Sequence, residues 1–261
     1  MVRFFDAKTK QESFEYGDEA ADKITLQFQI ETQTRDIVLE MEKVYEPYLL
    51  MNKKRYAGNM FTKDKNGDIV FDYMDAKGIQ LIRRDSCELA KTAQQAVLTE
   101  LLDNIDPHAA CKQVDTILKG IVNNEYSQKY YEMSKSLRKS YKNEELPHVK
   151  VVEKMEARDK GSAPQVGDRV PYVLVETRDL KAKTWEKAED PKYALENNIP
   201  IDRLYYVEHQ IVTPVTGLLE FVEEISNPYD IFERHVNELR RQREGNRDIR
   251  SMLGVSTTST D

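Results

Sequence analysis

Hydrophobic and polar positions follow two periods along the chain, and the change falls near residue 85. Residues 37–51 alternate, with Ile37, Leu39 and Met41 on one face, and a period of two predicts a β-strand. From residue 86 onward, apolar residues recur at helical spacing instead. The chain is therefore predicted to be an α+β protein, in which a small antiparallel sheet is followed by a mostly helical region.

Short signals divide the first region further. Asn66-Gly67 is the strongest short signal for a hairpin turn, and strands are predicted after it at 69–73 and 78–82. A helix is predicted before the sheet, with Asp18 and Glu19 suited to its first turn. Its apolar positions recur at helical spacing, at Ala20, Ala21, Ile24 and Phe28.

Two apolar stripes predict the core of the helical region. The first comprises Leu89, Ala93, Ala96, Val97 and Leu101. The second comprises Ala110, Val114, Ile117, Leu118 and Ile121, on a helix that Asp106-Pro107 is suited to start. Helix is also predicted over 127–159 with a break at 144–147, over 190–221, and from Asn227-Pro228 to a break at Gly245.

The most informative polar stretch follows the first predicted strand. Lys53, Lys54 and Arg55 are consecutive cations, and Tyr56 and Gly58 come directly after them. Cations beside an aromatic ring on a rigid sheet suit a nucleic-acid backbone and a neighbouring base. A solvated loop after a strand is the alternative interpretation.

A second cationic stretch lies at 158–173. Gly161 permits tight backbone geometry, and Arg158, Lys160 and Arg169 could join backbone N–H groups in holding a phosphate. Asp168 would order this loop by pairing with Arg169 or with a nearby amide. The stretch lacks the spacing of a nucleotide-binding P-loop.

Composition narrows the class of protein. The chain has 261 residues, of which 39% are hydrophobic and 33% charged, so it is not composed like a disordered chain. No apolar run approaches a membrane span and no signal peptide is present, so we expect an intracellular protein without a membrane partner. The two cysteines and the scattered histidines have no metal-ligand spacing. The net charge of −7 argues mildly against nucleic-acid binding, but a groove needs only a positive lining.

Residues 39–58, 75–85 and 161–173 resemble, in that order, the family B DNA polymerases. The resemblance is greatest to the delta-type replicative enzymes of eukaryotes and large DNA viruses, and it extends from Met1 to about residue 221. It implies that residues 1–85 form the C-terminal part of the polymerase palm and residues 86–225 the thumb. Residues 226–261 would be a C-terminal helix and a flexible tail.

The resemblance also implies a binding site for primer-template DNA. The DNA-binding residues would be Lys53, Lys54, Arg55, Tyr56, Gly58, Lys77, Gly78, Arg83, Arg84, Arg158, Gly161 and Arg169. Asp85 would support the site by pairing with an arginine or by capping the next helix. Exposed cations of the predicted helix, Lys129, Lys135, Arg138, Lys139 and Lys142, would also meet phosphates, unless they form a solvated face.

No catalytic or metal-binding residue is assigned to this chain. The family's Tyr-Gly-Asp-Thr-Asp-Ser turn, whose aspartates hold catalytic Mg²⁺, would lie just before Met1. Tyr16-Gly17-Asp18 spells its first half but falls in a predicted helix. We therefore expect a DNA-directed DNA polymerase, a nucleotidyltransferase, as the complete or split enzyme, with this chain alone inactive and binding no Mg²⁺.

The origin of the chain stays open between a fragment, a split-gene product and a remnant. A different interpretation is a non-catalytic DNA-binding or scaffold subunit derived from a thumb. The expected partners are the N-terminal polymerase part and, through Ile249, Met252 and Leu253, a sliding clamp. We expect it in the nucleus or at a viral replication site, and the missing cysteine clusters favour a large DNA virus.

Overall fold

The computed structural model describes residues 2–79, 81, 85–177, 179 and 181–252, the last seven by their backbone alone. The chain divides into two compact units. Unit 1 comprises Met1–Ile79 with Leu102–Ile105, and unit 2 comprises Gln80–Leu101 with Asp106–Asp261. The predicted α+β class is confirmed.

Unit 1 contains one long helix and one sheet. Helix α1 (Lys10–Thr32) precedes three antiparallel strands, β1 (Val44–Asn52), β2 (Arg55–Lys63) and β3 (Ile69–Lys77), in the spatial order β1-β2-β3. The turn predicted at Asn66-Gly67 joins β2 to β3, and Gly67 has a φ of 89° there.

Helix α1 begins earlier than the sequence pattern predicted, and the reason is a capping box. The Thr9 hydroxyl accepts a hydrogen bond from the Glu12 amide, and the Glu12 carboxylate accepts one from the Thr9 amide. These bonds satisfy N–H groups that a helix start leaves unpaired. Asp18 consequently lies within the helix, where its carboxylate is 2.6 Å from Lys63 Nζ.

Two strand predictions in unit 1 are wrong. Residues 37–43 alternate in polarity but form no strand, because side chains of α1 occupy backbone groups that a ladder would need: the Leu39 amide donates to the Thr25 hydroxyl at 2.9 Å. The strand predicted at 78–82 is absent from its described part, because Gly78 leaves the sheet with a φ of 71°.

Unit 2 is mostly helical, with one small antiparallel sheet in the order β4-β5-β6. Its strands are β4 (Met133–Ser136), β5 (Arg169–Leu174) and β6 (Ala188–Glu189). Its longer helices are α2 (Glu88–Leu102), α3 (Pro107–Val122), α4 (Pro147–Arg158), α7 (Val212–Leu219) and α8 (Asp230–Met252). Its shorter helical segments are a 3₁₀ turn (Gln128–Tyr131), α5 (Pro191–Glu196), α6 (Arg203–Tyr205) and a π-helical turn (Tyr206–Ile211).

The helical stripes of unit 2 were predicted well. Asp106 caps α3 by accepting a hydrogen bond from the Ala109 amide at 2.9 Å, and all five predicted positions of the α3 stripe are buried. On α2, Leu89, Ala93 and Val97 are buried, while the predicted positions Ala96 and Leu101 are half-buried.

Three helix predictions in unit 2 need correction. Residues 133–136 form β4 rather than helix, because they pair with β5 in the register Met133↔Tyr172 to Ser136↔Arg169, and residues 137–143 form a loop. Residues 197–202 interrupt the helix predicted over 190–221. Helix α8 continues through Gly245, where a break was predicted, since a single glycine only weakens a helix.

Candidate nucleic-acid interface

A tight turn presents the consecutive cations of unit 1. Asn52 and Arg55 pair across the end of the β1–β2 hairpin, so only Lys53 and Lys54 form the connection. Lys54 has a φ of 68°, in the left-handed region. Both lysines are exposed, Arg55 is half-buried, and none of the three forms an ion pair with any residue that the structure describes. The turn therefore offers uncompensated positive charge to solvent.

Three tyrosine rings pack together on the hairpin behind this turn. Ring centroids are 5.1 Å apart for Tyr45 and Tyr48 and 5.5 Å apart for Tyr48 and Tyr56. Gly58 makes room for them, because a Cβ atom there would lie 2.8 Å from the Tyr48 ring and 3.0 Å from the Pro47 carbonyl. Gly58 therefore serves a close approach within the sheet, and its predicted contact with DNA stays a prediction.

A buried carboxylate, Asp75 on β3, anchors these rings. Its Oδ2 atom accepts hydrogen bonds from the hydroxyls of Tyr45 at 2.7 Å and Tyr56 at 3.2 Å. Lys77 Nζ lies 3.4 Å from Oδ1, with its side chain largely exposed. Asp75 was not among the predicted site residues; a carboxylate inside a strand, close in sequence to the tyrosine-rich β1, is the signal that could have found it.

The electrostatics of this cluster favour an ionised Asp75. Burial alone would raise the pKa of this carboxyl, but hydrogen bonds from Tyr45, Lys77 and Tyr56 outweigh burial and hold the pKa below its usual value. Burial, followed by the bond to Asp75, raises the pKa of the Tyr45 hydroxyl well above its ordinary value. Tyr45 therefore stays protonated as a donor, and the charge stays on Asp75.

Gly78 allows the end of β3 to pack closely against the cationic turn. Its φ of 71° disfavours other residues, and a Cβ atom at this position would lie 2.4 Å from the backbone oxygen of Lys54. An approach this close leaves no room for a side chain. The geometry of the turn therefore depends on a glycine that is distant in sequence, and the two predicted binding segments, 53–58 and 77–78, meet.

The two arginines predicted next to this region, Arg83 and Arg84, lie outside the described residues, as does Gln80. Asp85 is described and precedes α2, but its predicted pairing with an arginine, or its cap, stays a prediction.

The second cationic stretch, in unit 2, has a different arrangement. Arg158, at the end of α4, makes a bidentate ion pair with the buried Glu189 at 2.9 and 2.7 Å, and its guanidinium carbon lies 3.4 Å from the centre of the Tyr193 ring. Arg169 donates to the hydroxyls of Ser134 at 3.1 Å and Ser136 at 3.4 Å on β4. Both guanidinium groups are thus engaged within the unit.

The loop between these arginines is ordered by glycine turns and by the side chain of Asp168. Gly161 and Gly167 each have a φ of 103°, and neither position is crowded. The Asp168 carboxylate accepts a hydrogen bond from the Gln165 amide at 2.9 Å, so it bonds to a nearby amide, one of its two predicted partners. Glycine serves conformation here, not close packing.

The predicted clamp peptide lies at the end of the described chain. Ile249 and Met252 belong to α8, but only their backbone is described, and Leu253 lies outside the described residues. Its binding to a clamp therefore stays a prediction.

The residues that the structure describes contain neither a metal-binding cluster nor a membrane-spanning helix. They include no group of three or more His, Cys, Asp or Glu side chains placed to hold a metal ion. None of the described helices is both long enough and apolar enough to cross a membrane.

Comparison with known proteins identifies the family. The family model described as DNA polymerase family B matches residues 1–222. The chain is 41% identical over 222 residues to the DNA polymerase delta catalytic subunit of Glycine max, covering 84% of this chain and 19% of that protein. It is 39% identical over 216 residues to the one from Drosophila melanogaster, covering 83% and 19%. This chain therefore spans about a fifth of the length of these relatives.

A solved structure agrees on the fold. The family B DNA polymerase of the hyperthermophilic archaeon Pyrobaculum calidifontis superposes with a TM-score of 0.52 and 24% identity, over 80% of this chain and 25% of the archaeal one. The curated relatives named here are eukaryotic, and they do not support the predicted viral source. The predicted delta-type resemblance is confirmed, and this chain belongs to DNA polymerase family B.

Proposed function

We propose that this chain is the part of a DNA-directed DNA polymerase that holds the primer-template duplex. Residues 1–85 would be the C-terminal part of the palm and residues 86–225 the thumb. The observation that carries the proposal is the β1–β2 turn, where three cations without ion-pair partners among the described residues stand on a sheet braced by Asp75.

The turn would act on DNA through charge and shape. Lys53, Lys54 and Arg55 would neutralise backbone phosphates near the primer end, which gives binding that is independent of sequence and sensitive to salt. Lys54 would approach from the minor-groove side, where base edges are read degenerately, so correct pair shape can be sensed without reading sequence.

Tyr56 would act as a positioning residue for Lys54. Its hydroxyl is committed to Asp75 and its ring to Tyr45 and Tyr48. Strand β2 therefore leaves the turn in a fixed direction, and the cations are held in place before DNA arrives. Preorganisation of this kind lowers the entropic cost of binding.

Nucleotidyl transfer in the complete enzyme would use two Mg²⁺ ions to activate the primer hydroxyl and steady the triphosphate. The described residues do not fit such a site, because they contain no suitable group of carboxylates. We assign no metal-dependent step to them. The metals, and the chemistry, would belong to the remainder of the polymerase, on the same or a separate chain.

The partners follow from this role. They are primer-template DNA, the remainder of the polymerase and, if the tail carries the predicted peptide, a sliding clamp. The eukaryotic relatives favour the nucleus over a viral replication site as the place of action. A non-catalytic DNA-binding or scaffold subunit is the second candidate, because a protein that only binds duplex DNA, without catalysis, would also use the thumb.

Fluorescence anisotropy with a labelled duplex carrying a recessed 3′ end tests duplex binding. We expect the wild-type chain to bind, with log Kd rising steeply with log salt. Replacing Lys53, Lys54 and Arg55 by alanine should reduce the magnitude of that slope by about 2–3, at ~0.9 for each phosphate that is no longer neutralised. A control that removes the exposed cations Lys23, Lys65 and Lys192 should keep the wild-type slope. Equal slopes for all three proteins would remove the proposal.

Replacing the corresponding segment of a delta-type polymerase by this chain distinguishes between the two candidate functions, a polymerase part and a scaffold subunit. Primer extension that depends on Mg²⁺ and is reduced by the triple substitution supports a polymerase part. Duplex binding without extension in the exchanged enzyme supports the scaffold.

A further inference from the structure

Unit 2 has an exposed loop after β4, residues 137–143, here called the basic loop. Ser140 lies in the middle of this loop, and its side chain is exposed. The exposed cations of the loop and of the strand end before it are Lys135, Arg138, Lys139 and Lys142. None of these four side chains has an ion-pair partner among the described residues. A free hydroxyl group is thus flanked in sequence by uncompensated positive charge.

The sequence offers two serines here that a protein kinase could select by charge. Ser136 has Arg138 two positions after it, whereas Ser140 has Arg138 two positions before it and Lys142 two positions after it. Kinases choose their substrates partly by the pattern of charge around the acceptor hydroxyl. A kinase with an acidic substrate groove would match both serines, so the sequence alone does not choose between them.

Ser136 is held within the sheet of unit 2. It pairs with Arg169 in the β4–β5 register, and its hydroxyl accepts a hydrogen bond from Arg169 Nη1 at 3.4 Å. Its carbonyl accepts a hydrogen bond from the Tyr141 hydroxyl at 3.1 Å. The next amide, of Leu137, donates to the Asp168 carbonyl at 2.8 Å. A kinase would therefore have to open the edge of the sheet to reach Ser136.

Ser140 has no such restraint. Neither its hydroxyl nor its backbone forms a hydrogen bond with any residue that the structure describes. The adjacent Tyr141 anchors the loop instead, because its hydroxyl accepts a hydrogen bond from the Arg138 amide at 2.7 Å and lies 2.9 Å from Nε2 of His148. A segment with few bonds opens at low cost. The chain around Ser140 can therefore enter an active site with the loss of the Tyr141 bonds alone.

We propose that Ser140 is a phosphorylation site for a serine kinase that selects basic residues around the acceptor. The kinase would transfer the γ-phosphoryl group of MgATP to Ser140 Oγ. A bond forms between Oγ and the γ-phosphorus, and the bond from that phosphorus to the bridging oxygen breaks, which releases ADP. The hydroxyl proton passes to a carboxylate base of the kinase.

The phosphate would change the charge of unit 2. It carries about −1.5 to −2 charges at neutral pH, so it would offset roughly half of the four cations. Arg138, Lys139 and Lys142 lie within two positions of Ser140 and would form charge-assisted hydrogen bonds with it. For its consequence this inference rests on the proposed duplex-holding function, because a less positive loop would weaken duplex binding that depends on salt.

Site mapping on the full chain is the main test, with MgATP and a purified serine kinase that selects basic residues two positions from the serine. We expect Ser140 to be labelled about tenfold faster than Ser136, because access to Ser136 also breaks hydrogen bonds of the sheet. A synthetic peptide of residues 134–146 has no sheet and should lose this preference. Equal labelling of the two serines in the folded chain, or no labelling of Ser140 in chain and peptide alike, would overturn the proposal.

Two variants serve as matched controls. Ser140→Ala should reduce the initial rate of labelling in this segment about tenfold, as the same difference in access predicts, whereas Ser136→Ala should leave it close to wild type. Both serines are exposed, so the thermal unfolding of Ser140→Ala should match that of the wild-type chain. Loss of label in Ser136→Ala with full labelling of Ser140→Ala would assign the site to Ser136 and refute the inference.

Duplex binding of the phosphorylated chain tests the consequence. The magnitude of its salt slope should fall by about 1–2, because the phosphate offsets roughly two cations. Ser140→Ala treated with the same kinase should keep the unmodified slope. A chain that is fully phosphorylated at Ser140 and keeps the unmodified slope would refute the effect on DNA binding. If the unmodified chain fails to bind duplex, the proposed function itself fails, and the labelling of Ser140 still decides the modification site.

Discussion

The cations of the β1–β2 turn and the arginines of the 158–169 stretch look alike in sequence but differ in the structure. Both groups were predicted to contact phosphates. At the turn, Lys53, Lys54 and Arg55 have no ion-pair partners among the described residues, whereas Arg158 and Arg169 are engaged by Glu189 and by serines of β4. The availability of a cation for a ligand is therefore set by what packs against it.

A buried carboxylate lies behind the turn and another lies beside Arg158, and the ligands of the two carboxylates account for the difference between the turn and Arg158. Asp75 is satisfied by two tyrosine hydroxyls with Lys77 nearby, so no cation of the turn is drawn towards it. Glu189 instead takes the bidentate guanidinium of Arg158. A buried charge must be paired or hydrogen-bonded, and the choice of partner decides which cations face solvent.

The largest expected effect is on stability, from Arg158→Ala. The variant would leave Glu189 buried without its main partner, which should lower the free energy of unfolding by about 3 kcal/mol. Urea denaturation measures this change. Lys154 Nζ lies 3.6 Å from the same carboxylate and would limit it. Full stability together with a reduced salt slope of DNA binding would mean that Arg158 is a phosphate ligand after all.

Gly78→Ala should have the next largest effect, on unit 1. It combines left-handed strain of about 1–2 kcal/mol with a clash against the Lys54 carbonyl, so both Tm and duplex affinity should fall. Gly67→Ala is the matched control, because its φ of 89° brings similar strain into open space. It should lower Tm slightly and leave affinity unchanged. Equal losses of duplex affinity in both variants would show that the geometry of the turn does not depend on the close approach of Gly78 to Lys54.

Asp75→Asn should cost about 1–2 kcal/mol, because charge-assisted bonds from the tyrosines become neutral ones. The folded pKa of Asp75 lies below its ordinary value of 3.8, so its contribution is present above that pH and disappears as the pH falls through the folded pKa. The stability gap between wild type and variant, measured by thermal unfolding, should therefore narrow below about pH 3.8. A gap that stays constant under acid would contradict the ionised cluster.

Arg169→Ala should have the smallest effect. Its hydrogen bonds to Ser134 and Ser136 are exposed, so the stability should fall by about 1 kcal/mol or less, with duplex affinity close to wild type. Calorimetry and anisotropy on the same preparation would check both values.

Local signals predicted much of this molecule. The α3 stripe and its Asp106 cap, the Asn66-Gly67 turn and the position of the cations after a strand all follow from neighbouring residues. The predictions for residues 37–43 and for β4 were wrong, because a short alternating or polar run becomes a strand only where a partner strand is available. The sequence alone does not show which segment would be that partner strand.

The state of each charged side chain could not be predicted from its neighbours in sequence. Arg158 and Glu189, like Tyr45 and Asp75, are separated by 31 and 30 positions in sequence and meet only through the fold. Exposure of Lys135 and Arg138 was predicted, but on a helix, whereas Lys135 lies on β4 and Arg138 in the loop that follows it. Contacts between distant residues thus decide which predicted ligands are available.

The most direct measurement is the salt dependence of duplex binding for two variants side by side. One carries Lys53→Ala, Lys54→Ala and Arg55→Ala, and the other carries Arg158→Gln and Arg169→Gln. We expect the first to reduce the slope magnitude by about 2–3 and the second to keep the wild-type slope despite its lower stability. A reduced slope in the arginine variant with a wild-type slope in the hairpin variant would contradict the assignment of available and engaged cations.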